Sequence, residues 1–223
     1  MILVRREAKA FKDGQIALVG TFADQAAIAL ENARLLEAVE RQRQELSRLL
    51  SPQVADLKTA APEELLDLLR GYHRAVGRLI PSYGGTLEHF AGDGLMVFFN
   101  DPLPVAAHEL QAVRLALAVQ ERFAELAGEW HKRGAQLGLG VGIEAGYATL
   151  GRIGFEGRYD YGVVGPVANL ASRLSTHAQA GQTLIGPHVF AAVAESVRTA
   201  PVGELALKGF SRPISAHEVR GLR

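Results

Sequence analysis

The sequence contains no cysteine, no excess of either charge and no long hydrophobic run. Without cysteine, disulfides, thiolate metal sites and cysteine nucleophiles are excluded, and the chain suits a reducing cytoplasm. The 24 Lys and Arg residues equal the 24 Asp and Glu residues, so no net field favours nucleic acid or anionic lipid. The short apolar opening at residues 1–4 is followed at once by charge, which predicts neither a signal peptide nor a membrane span. We therefore expect a cytoplasmic protein that binds neither nucleic acid nor membrane.

Internal repeats, low-complexity tracts and a glycine-rich phosphate loop of the Walker type are also lacking. What is present is a chain of 223 residues, 48% of them hydrophobic. That length and composition suffice for one core of ordinary size with an appendage.

The appendage is a long helix in the first quarter of the chain. Its helical period begins at Ile16 and ends at Ser51-Pro52, where serine and proline stop the run. Apolar residues spaced by threes and fours form one seam: Leu35, Val39, Leu46 and Leu49. This spacing is typical of a two-stranded coiled coil of about two heptads and predicts a parallel homodimer.

The remainder alternates between helical periods and strand hairpins, which indicates an α+β fold with helices on a sheet. The predicted elements are a helix over 62–81, strands over 86–90 and 95–99 about a tight turn, a helix over 106–131, a strand over 137–145 with 147–153 returning beside it, a strand over 159–164, a helix from 166 through 173, a strand over 183–185, a helix over 187–197, and strands over 205–208 and 216–219.

Three separated blocks carry a family resemblance. They read GTLEHFAGDGLMVF at 85–98, GVGIEAG at 140–146 with DYGVVG at 160–165 and NLASR at 169–173, and LKG at 207–209. Together and in this order they resemble the class III adenylate and guanylate cyclase catalytic domain. The resemblance implies a ferredoxin-like palm with helices on an antiparallel sheet, preceded by a long signalling helix.

The family's reaction implies roles for four residues. It is the attack of a nucleoside triphosphate's 3′-hydroxyl on its own α-phosphate, with Mg²⁺ or Mn²⁺ as cofactor, at a site shared by two protomers. By resemblance Asp93 is a metal ligand, Asn169 orients the ribose, Arg173 stabilises the phosphorane and Lys208 holds the terminal phosphates. Taken singly, Asp93 is a common turn former and the two cations are ordinary surface residues. Their joint order and spacing favours the functional interpretation.

Two further positions correspond to those that read the base. His89 stands where adenine-selective members have lysine, and Gly162 stands where they have aspartate or threonine. Neither matches the glutamate and cysteine of guanylate cyclases, and His89 is equally consistent with a half-buried strand residue. The choice between ATP and GTP stays open, and we expect weak discrimination because dedicated hydrogen-bonding groups are lacking.

One departure from the family pattern concerns its opening strand, which carries the first metal aspartate. Here the stretch SPQVADL at 51–57 is followed by KTAAPEE, without an apolar strand or an aspartate. We expect a single carboxylate at Asp93 to hold a divalent cation poorly, and the chain alone to be inactive. A non-catalytic dimerisation or regulatory module is the competing hypothesis, and a truncated gene is a third.

The segment over 11–35 resembles the final helix of a GAF sensor domain. The expected organisation is therefore a GAF remnant over 1–34, a coiled-coil signalling linker over 35–58 and an incomplete cyclase domain over 59–223.

Overall fold

A computed structural model describes Leu30, Arg34 and residues 62–91, 93–132, 137–155 and 158–223. The chain divides into two units, Met1–Arg48 and Leu49–Arg223. In the first unit Leu30 and Arg34 are helical and exposed. The predicted coiled-coil seam, most of the GAF-like segment and the departure after residue 57 lie outside the described residues. Of the described helices, none combines the length and apolar character needed to cross a membrane.

The second unit has the α+β composition that the sequence predicts. Its described elements are α1 (Pro62–Ser82), β1 (Thr86–Ala91), β2 (Gly94–Phe98), α2 (His108–His131), β3 (Val141–Ile143), β4 (Thr149–Phe155), β5 (Arg158–Val164), α3 (Pro166–His177), β6 (Thr183–Ile185), α4 (Pro187–Val193), β7 (Val197–Leu205) and β8 (Ile214–Leu222).

Helices α1 and α2 pack together over the β1–β2 hairpin. In α1 the buried residues Tyr72, Val76 and Ile80 follow a spacing of four, which places them on one helical face. They share a core cluster with residues of α2 that include Trp130. The helix ends two residues before Gly84, whose φ of 77° lies in the left-handed region that glycine tolerates. The predicted stop after Pro81 is therefore confirmed to within one residue.

The main sheet has four strands in the order β3-β6-β8-β7. Its β6–β8 and β7–β8 pairs are antiparallel, whereas β3 and β6 are parallel. A parallel pair needs a crossover connection, and here the chain between β3 and β6 contains α3. The sheet is therefore mixed rather than antiparallel throughout. Strands β1 and β2 form one separate antiparallel pair, and β4 and β5 form another.

Two strand predictions were wrong in their pairing or extent. The strand expected to return beside β3 pairs with β5 instead, from Thr149 opposite Val164 to Phe155 opposite Arg158. Residues 137–140 are not part of a ladder, and the carbonyl of Leu139 accepts a hydrogen bond at 2.9 Å from the N–H of Gly181 in the loop before β6. A Cβ on Gly138 would lie 2.3 Å from that of Ala180.

The last predicted boundaries are also corrected. The helix expected to reach residue 197 ends at Val193 because Val197 already pairs with Leu222 of β8. The strand expected over 205–208 ends at Leu205, and the residues that follow form a turn.

Candidate active site

Helix α3 carries two of the predicted site residues, Asn169 and Arg173. The helix begins at Pro166, a position where the missing proline N–H costs no intrahelical bond. Leu170 and Leu174 are buried and anchor the helix. Asn169 and Arg173 are exposed, and because they are four residues apart they lie on the same face. Both side chains are thus available to one ligand.

Glycines of the neighbouring strand determine how closely α3 approaches the sheet. A Cβ on Gly142 would lie 2.2 Å from the backbone nitrogen of Ser175 and 2.3 Å from the carbonyl oxygen of Ala171. A Cβ on Gly140 would lie 2.8 Å from the carbonyl oxygens of Ser175 and Ala178. Since no other residue fits at such separations, these glycines are required for the position of the helix.

Lys208 lies in a tight turn that follows β7. The backbone N–H of Phe210 donates to the carbonyl of Leu207 at 3.1 Å, and Gly209 has a left-handed φ of 93°. Leu207 is buried in the same cluster as Leu170, whereas Lys208 is exposed. The structure therefore brings the late lysine and the α3 site residues to one part of the domain.

Asp93 lies at the tip of the β1–β2 hairpin, beside the middle of α1. Burial raises the pKa of Tyr72, and the negative charge of Asp93 adds to that rise. Burial lowers the pKa of His73, while Asp93 acts on it in the opposite direction. The ring of His73 also packs at 4.2 Å from that of Phe90. The carboxylate of Asp93 therefore lies close enough to α1 to influence two ionisable groups there.

The two positions that the family resemblance assigns to base recognition, His89 and Gly162, are connected through a residue that the sequence did not single out, Glu88. Its Oε1 accepts a hydrogen bond from the backbone N–H of Val163 at 2.7 Å. The same oxygen lies 3.0 Å from where a Cβ on Gly162 would be. Its Oε2 lies 3.4 Å from Nδ1 of His89, and the Glu88 side chain is 8% exposed against 50% for His89. Glu88 thus joins the two positions that the family resemblance singled out.

An irregularity in β1 explains why the sequence did not reveal Glu88. Leu87 pairs with Val97 and His89 pairs with Met96, so Glu88 is an additional residue without its own cross-strand partner. Such a bulge changes the direction of the side chains around it. A strict alternation of faces does not apply there, and the sequence shows only two consecutive polar residues, Glu88 and His89, within the strand.

A second polar contact holds β5 against the segment that follows β2. The hydroxyl of Tyr161 donates to Oδ1 of Asp101 at 2.8 Å. This hydrogen bond is the main cause that raises the pKa of Tyr161. Together with the bond from Val163 to Glu88, it positions β5 without any strand pairing to β1.

Asp93 is the predicted metal ligand among the described residues. Among them, no group of three or more His, Asp or Glu side chains is placed to hold a metal ion. Asp93 supplies one carboxylate, and a bound Mg²⁺ in an enzyme typically uses one or two carboxylates together with substrate phosphates. Arg173 and Lys208 are exposed cations of the kind that suits phosphate oxygens, and the Asn169 amide is of the kind that suits a hydroxyl.

Comparison with known proteins identifies relatives of this arrangement. A family model described as "Adenylate and Guanylate cyclase catalytic domain" matches residues 52–220. Adenylate cyclase 1 of Rhizobium meliloti (strain 1021) is 29% identical over 165 residues, covering 73% of this chain and 25% of that protein. An adenylate cyclase of Anabaena cylindrica is 29% identical over 118 residues, covering 51% of this chain and 22% of that protein. The chain thus spans about a quarter of the length of these curated relatives.

Solved structures show the same fold. The adenylyl cyclase CyaB from P. aeruginosa superposes with a TM-score of 0.73 at 33% identity, over 77% of this chain and 90% of that one. The guanylyl cyclase Cya2 superposes with a TM-score of 0.70 at 30% identity, over 74% and 85% of the two chains. The similarity therefore extends to structures named for either nucleotide.

Proposed function

Because the chain belongs to the adenylate and guanylate cyclase catalytic domain family, we propose that it is part of an enzyme that converts ATP or GTP to a 3′,5′-cyclic nucleotide. In this reaction the 3′-hydroxyl oxygen forms a bond to the α-phosphorus. The bond between the α-phosphorus and the oxygen that bridges it to the β-phosphate breaks. Pyrophosphate leaves and the hydroxyl proton is released. The enzyme is proposed to act in the cytoplasm.

The observation that carries this proposal is that Asn169 and Arg173 are exposed on α3 and Lys208 is exposed beside Leu207, which packs in the same buried cluster as Leu170 of α3. Arg173 has a planar guanidinium that can donate two parallel hydrogen bonds to phosphate oxygens, which suits charge that builds on the α-phosphate. Lys208 provides a compact cation for the terminal phosphates. The Asn169 amide both donates and accepts, which suits a ribose hydroxyl.

The β4–β5 hairpin supports a dimeric site. It exposes four large apolar side chains, each between 45% and 71% accessible: Ile153, Phe155, Tyr161 and Val164. A cluster of exposed apolar residues commonly marks a surface that contacts another protein. We propose that this hairpin takes part in a homodimer whose coiled-coil segment over 35–58 follows a GAF remnant over 1–34.

Weak binding of the metal cofactor is proposed to limit the cyclase activity of a homodimer of this chain. Members of the family generally use Mg²⁺ or Mn²⁺, and with Asp93 as the available carboxylate we propose that this chain binds either ion weakly. The homodimer is then expected to form no product. A non-catalytic regulatory module is the second candidate function, favoured by the departure from the family pattern after residue 57, where the first metal aspartate is not found.

Binding of nucleotide separates the two candidates. The test is titration of the full chain with non-hydrolysable ATP and GTP analogues, alongside a cyclic-nucleotide assay with Mg²⁺ and Mn²⁺. We expect at least one analogue to bind, and Lys208→Ala to weaken its binding about tenfold through the loss of a charged hydrogen bond. The control is Lys132→Ala, which removes an exposed lysine at the end of α2 and should leave affinity unchanged.

The opposite results favour the regulatory module. If neither analogue binds to a folded dimer, the proposed nucleotide contacts do not exist. If Lys208→Ala binds as tightly as the unmodified chain, Lys208 does not contact the terminal phosphates.

A further inference from the structure

Two separate sheets of the domain lie on the same pair of helices. Leu95 and Val97 of β2 pack against the core cluster of α1 and α2, and so do Leu137 and Leu139, which precede β3. Among the described strands no ladder joins β2 to β3, because β2 pairs with β1 and β3 pairs with β6. The first hairpin and the main sheet therefore share one helical layer without forming one sheet.

The backbone of β3 has groups that point away from its partner strand. The N–H of Val141 donates to the carbonyl of Gln182 at 2.9 Å, and the carbonyl of Ile143 accepts from the N–H of Gly186 at 3.0 Å. Both bonds lie on the β6 side. Because successive residues of a strand direct their backbone groups to alternate edges, the N–H and carbonyl of Gly142 point to the other edge. An extended segment along that edge would pair with them.

Burial also distinguishes β2 and β3 from a strand inside the sheet. All three residues of β6, which has a neighbour on each side, are buried. Every residue of β2 and β3 is only half-buried. The two faces of β3 are nevertheless covered, since Gly142 lies against α3 and Ile143 packs with Val113 of α2. We therefore attribute the remaining exposure of β3 to its unpaired edge.

The strand sequences indicate that these edges are not protected. Native edge strands usually carry charges, a proline or bulges that discourage a further strand from pairing. Strand β7, at the far edge of the main sheet, has all three: Arg198 and Glu204, Pro201, and two shifts of register. Strands β2 and β3 read GLMVF and VGI, with neither charge nor proline. They have the composition of interior strands.

We propose that β2 and β3 are the two sides of a docking site for one extended strand of another polypeptide, which joins the hairpin and the main sheet. An inserted strand lies about 4.8 Å from each neighbour and binds through its backbone, in the manner of β-augmentation. The uncharged edges and the apolar α1–α2 cluster define the partner's chemistry. It is a segment of about five to seven residues, rich in valine and isoleucine and free of proline.

Two occupants from this protein itself fit the site less well. Residues 49–61, which precede α1, read LLSPQVADLKTAA and contain a proline but no run of β-branched residues. In a second copy of the chain, each described strand is already engaged in a ladder. The inference does not rest on the proposed function, because backbone pairing requires no nucleotide.

The test uses a fluorescent peptide as the probe. Valine and isoleucine alternate with threonine over about seven residues, both ends are capped, and one lysine at each end maintains solubility. Anisotropy should show saturable binding to the full chain. The same peptide with methyl groups on alternate backbone nitrogens cannot donate to one edge and should bind at least about tenfold more weakly. If both peptides bind equally, apolar contact alone holds them and the proposal is wrong.

Hydrogen exchange locates the bound strand without any substitution. The peptide should slow exchange in both Gly94–Phe98 and Val141–Ile143, because a strand between them pairs with each. Exchange in Val197–Leu205 of the protected edge should not change. Slower exchange in only one of the first two strands, or in β7, overturns the proposal. Failure of the peptide to bind a folded chain overturns it as well.

Met96→Lys is the substitution that should block the site. Leu95 and Val97 face the helical cluster, so Met96 lies on the opposite face of β2. A lysine there places a charge beside the incoming strand without entering that cluster, and peptide affinity should fall at least about tenfold. The control is Val202→Lys in β7, where the valine is 38% exposed and affinity should stay the same. If circular dichroism shows both variants folded and their affinities are equal, the assigned position is wrong.

Discussion

Replacing Gly142 by alanine tests whether the close approach of α3 to β3 positions the site. An added Cβ would lie 2.2 Å from the nitrogen of Ser175, 2.3 Å from the oxygen of Ala171 and 2.8 Å from the carbonyl carbon of Leu174. All three are backbone atoms, so no side chain can rotate to relieve the contact. Ordinary contact requires about 3.4 Å, and the helix must therefore move away from the strand by about 1 Å.

This displacement has two expected consequences. Overpacking a core typically costs about 1–3 kcal/mol, and because backbone atoms must move we expect the upper end, about 3 kcal/mol in the free energy of unfolding. Asn169 and Arg173 move with the helix. A misplacement of about 1 Å at a catalytic group can lower the rate about a hundredfold. In a mixed dimer with an intact relative, where we expect this chain to support formation of cyclic nucleotide, the Gly142→Ala variant should therefore lose that activity.

Urea denaturation followed by circular dichroism measures the first effect. The matched control is Gly128→Ala in α2, where a Cβ would meet no atom within 4 Å. That change should stabilise the chain by about 0.5–1 kcal/mol, because alanine favours the helical conformation over glycine. If Gly142→Ala unfolds at the same urea concentration as the unmodified chain, the glycine is not needed for the position of α3 and the argument fails.

Three further predictions concern assembly, catalysis and pH. We expect cyclic nucleotide from a mixed dimer of this chain with a relative that keeps both metal aspartates and has its own helix arginine changed to alanine. Arg173→Ala in this chain should abolish that product, because it removes a few kcal/mol of charge stabilisation. Heterodimers that form no product would contradict this prediction. Leu46→Lys with Leu49→Lys should give monomers by light scattering, and an unchanged mass would refute the coiled coil. Burial lowers the pKa of His73 despite the opposing charge of Asp93, so stability should fall as pH drops through about 6.5; His73→Phe should weaken that dependence in denaturation at pH 5.5 and 7.5.

Much of the fold could be predicted because its signals are local. The spacing of Tyr72 and Val76 indicated α1, and the Asp-Gly turn indicated the first hairpin, which the structure confirms at β1 and β2. Helix α3 was likewise predicted from its proline start. Each of these features depends on residues within a few positions of one another, and local patterning is sufficient for them.

Strand pairing was harder to predict because it depends on distant residues. The partner of β4 is β5 rather than β3, and the parallel β3–β6 pair results from a crossover through α3. An amphipathic strand has the same sequence pattern whichever neighbour it joins. The pattern therefore indicated that strands exist, whereas their order was not contained in it.

The sequence by itself determined the family and the order of the site residues Asn169, Arg173 and Lys208, because motif and spacing lie along the chain. Only the tertiary structure brought Glu88 to Gly162 and Val163, across 75 residues. A hydrogen bond requires its atoms within about 3 Å, and that separation depends on a bulge in β1 and on how β5 packs beside it. Such a distance is a property of the folded domain, since packing between elements sets it.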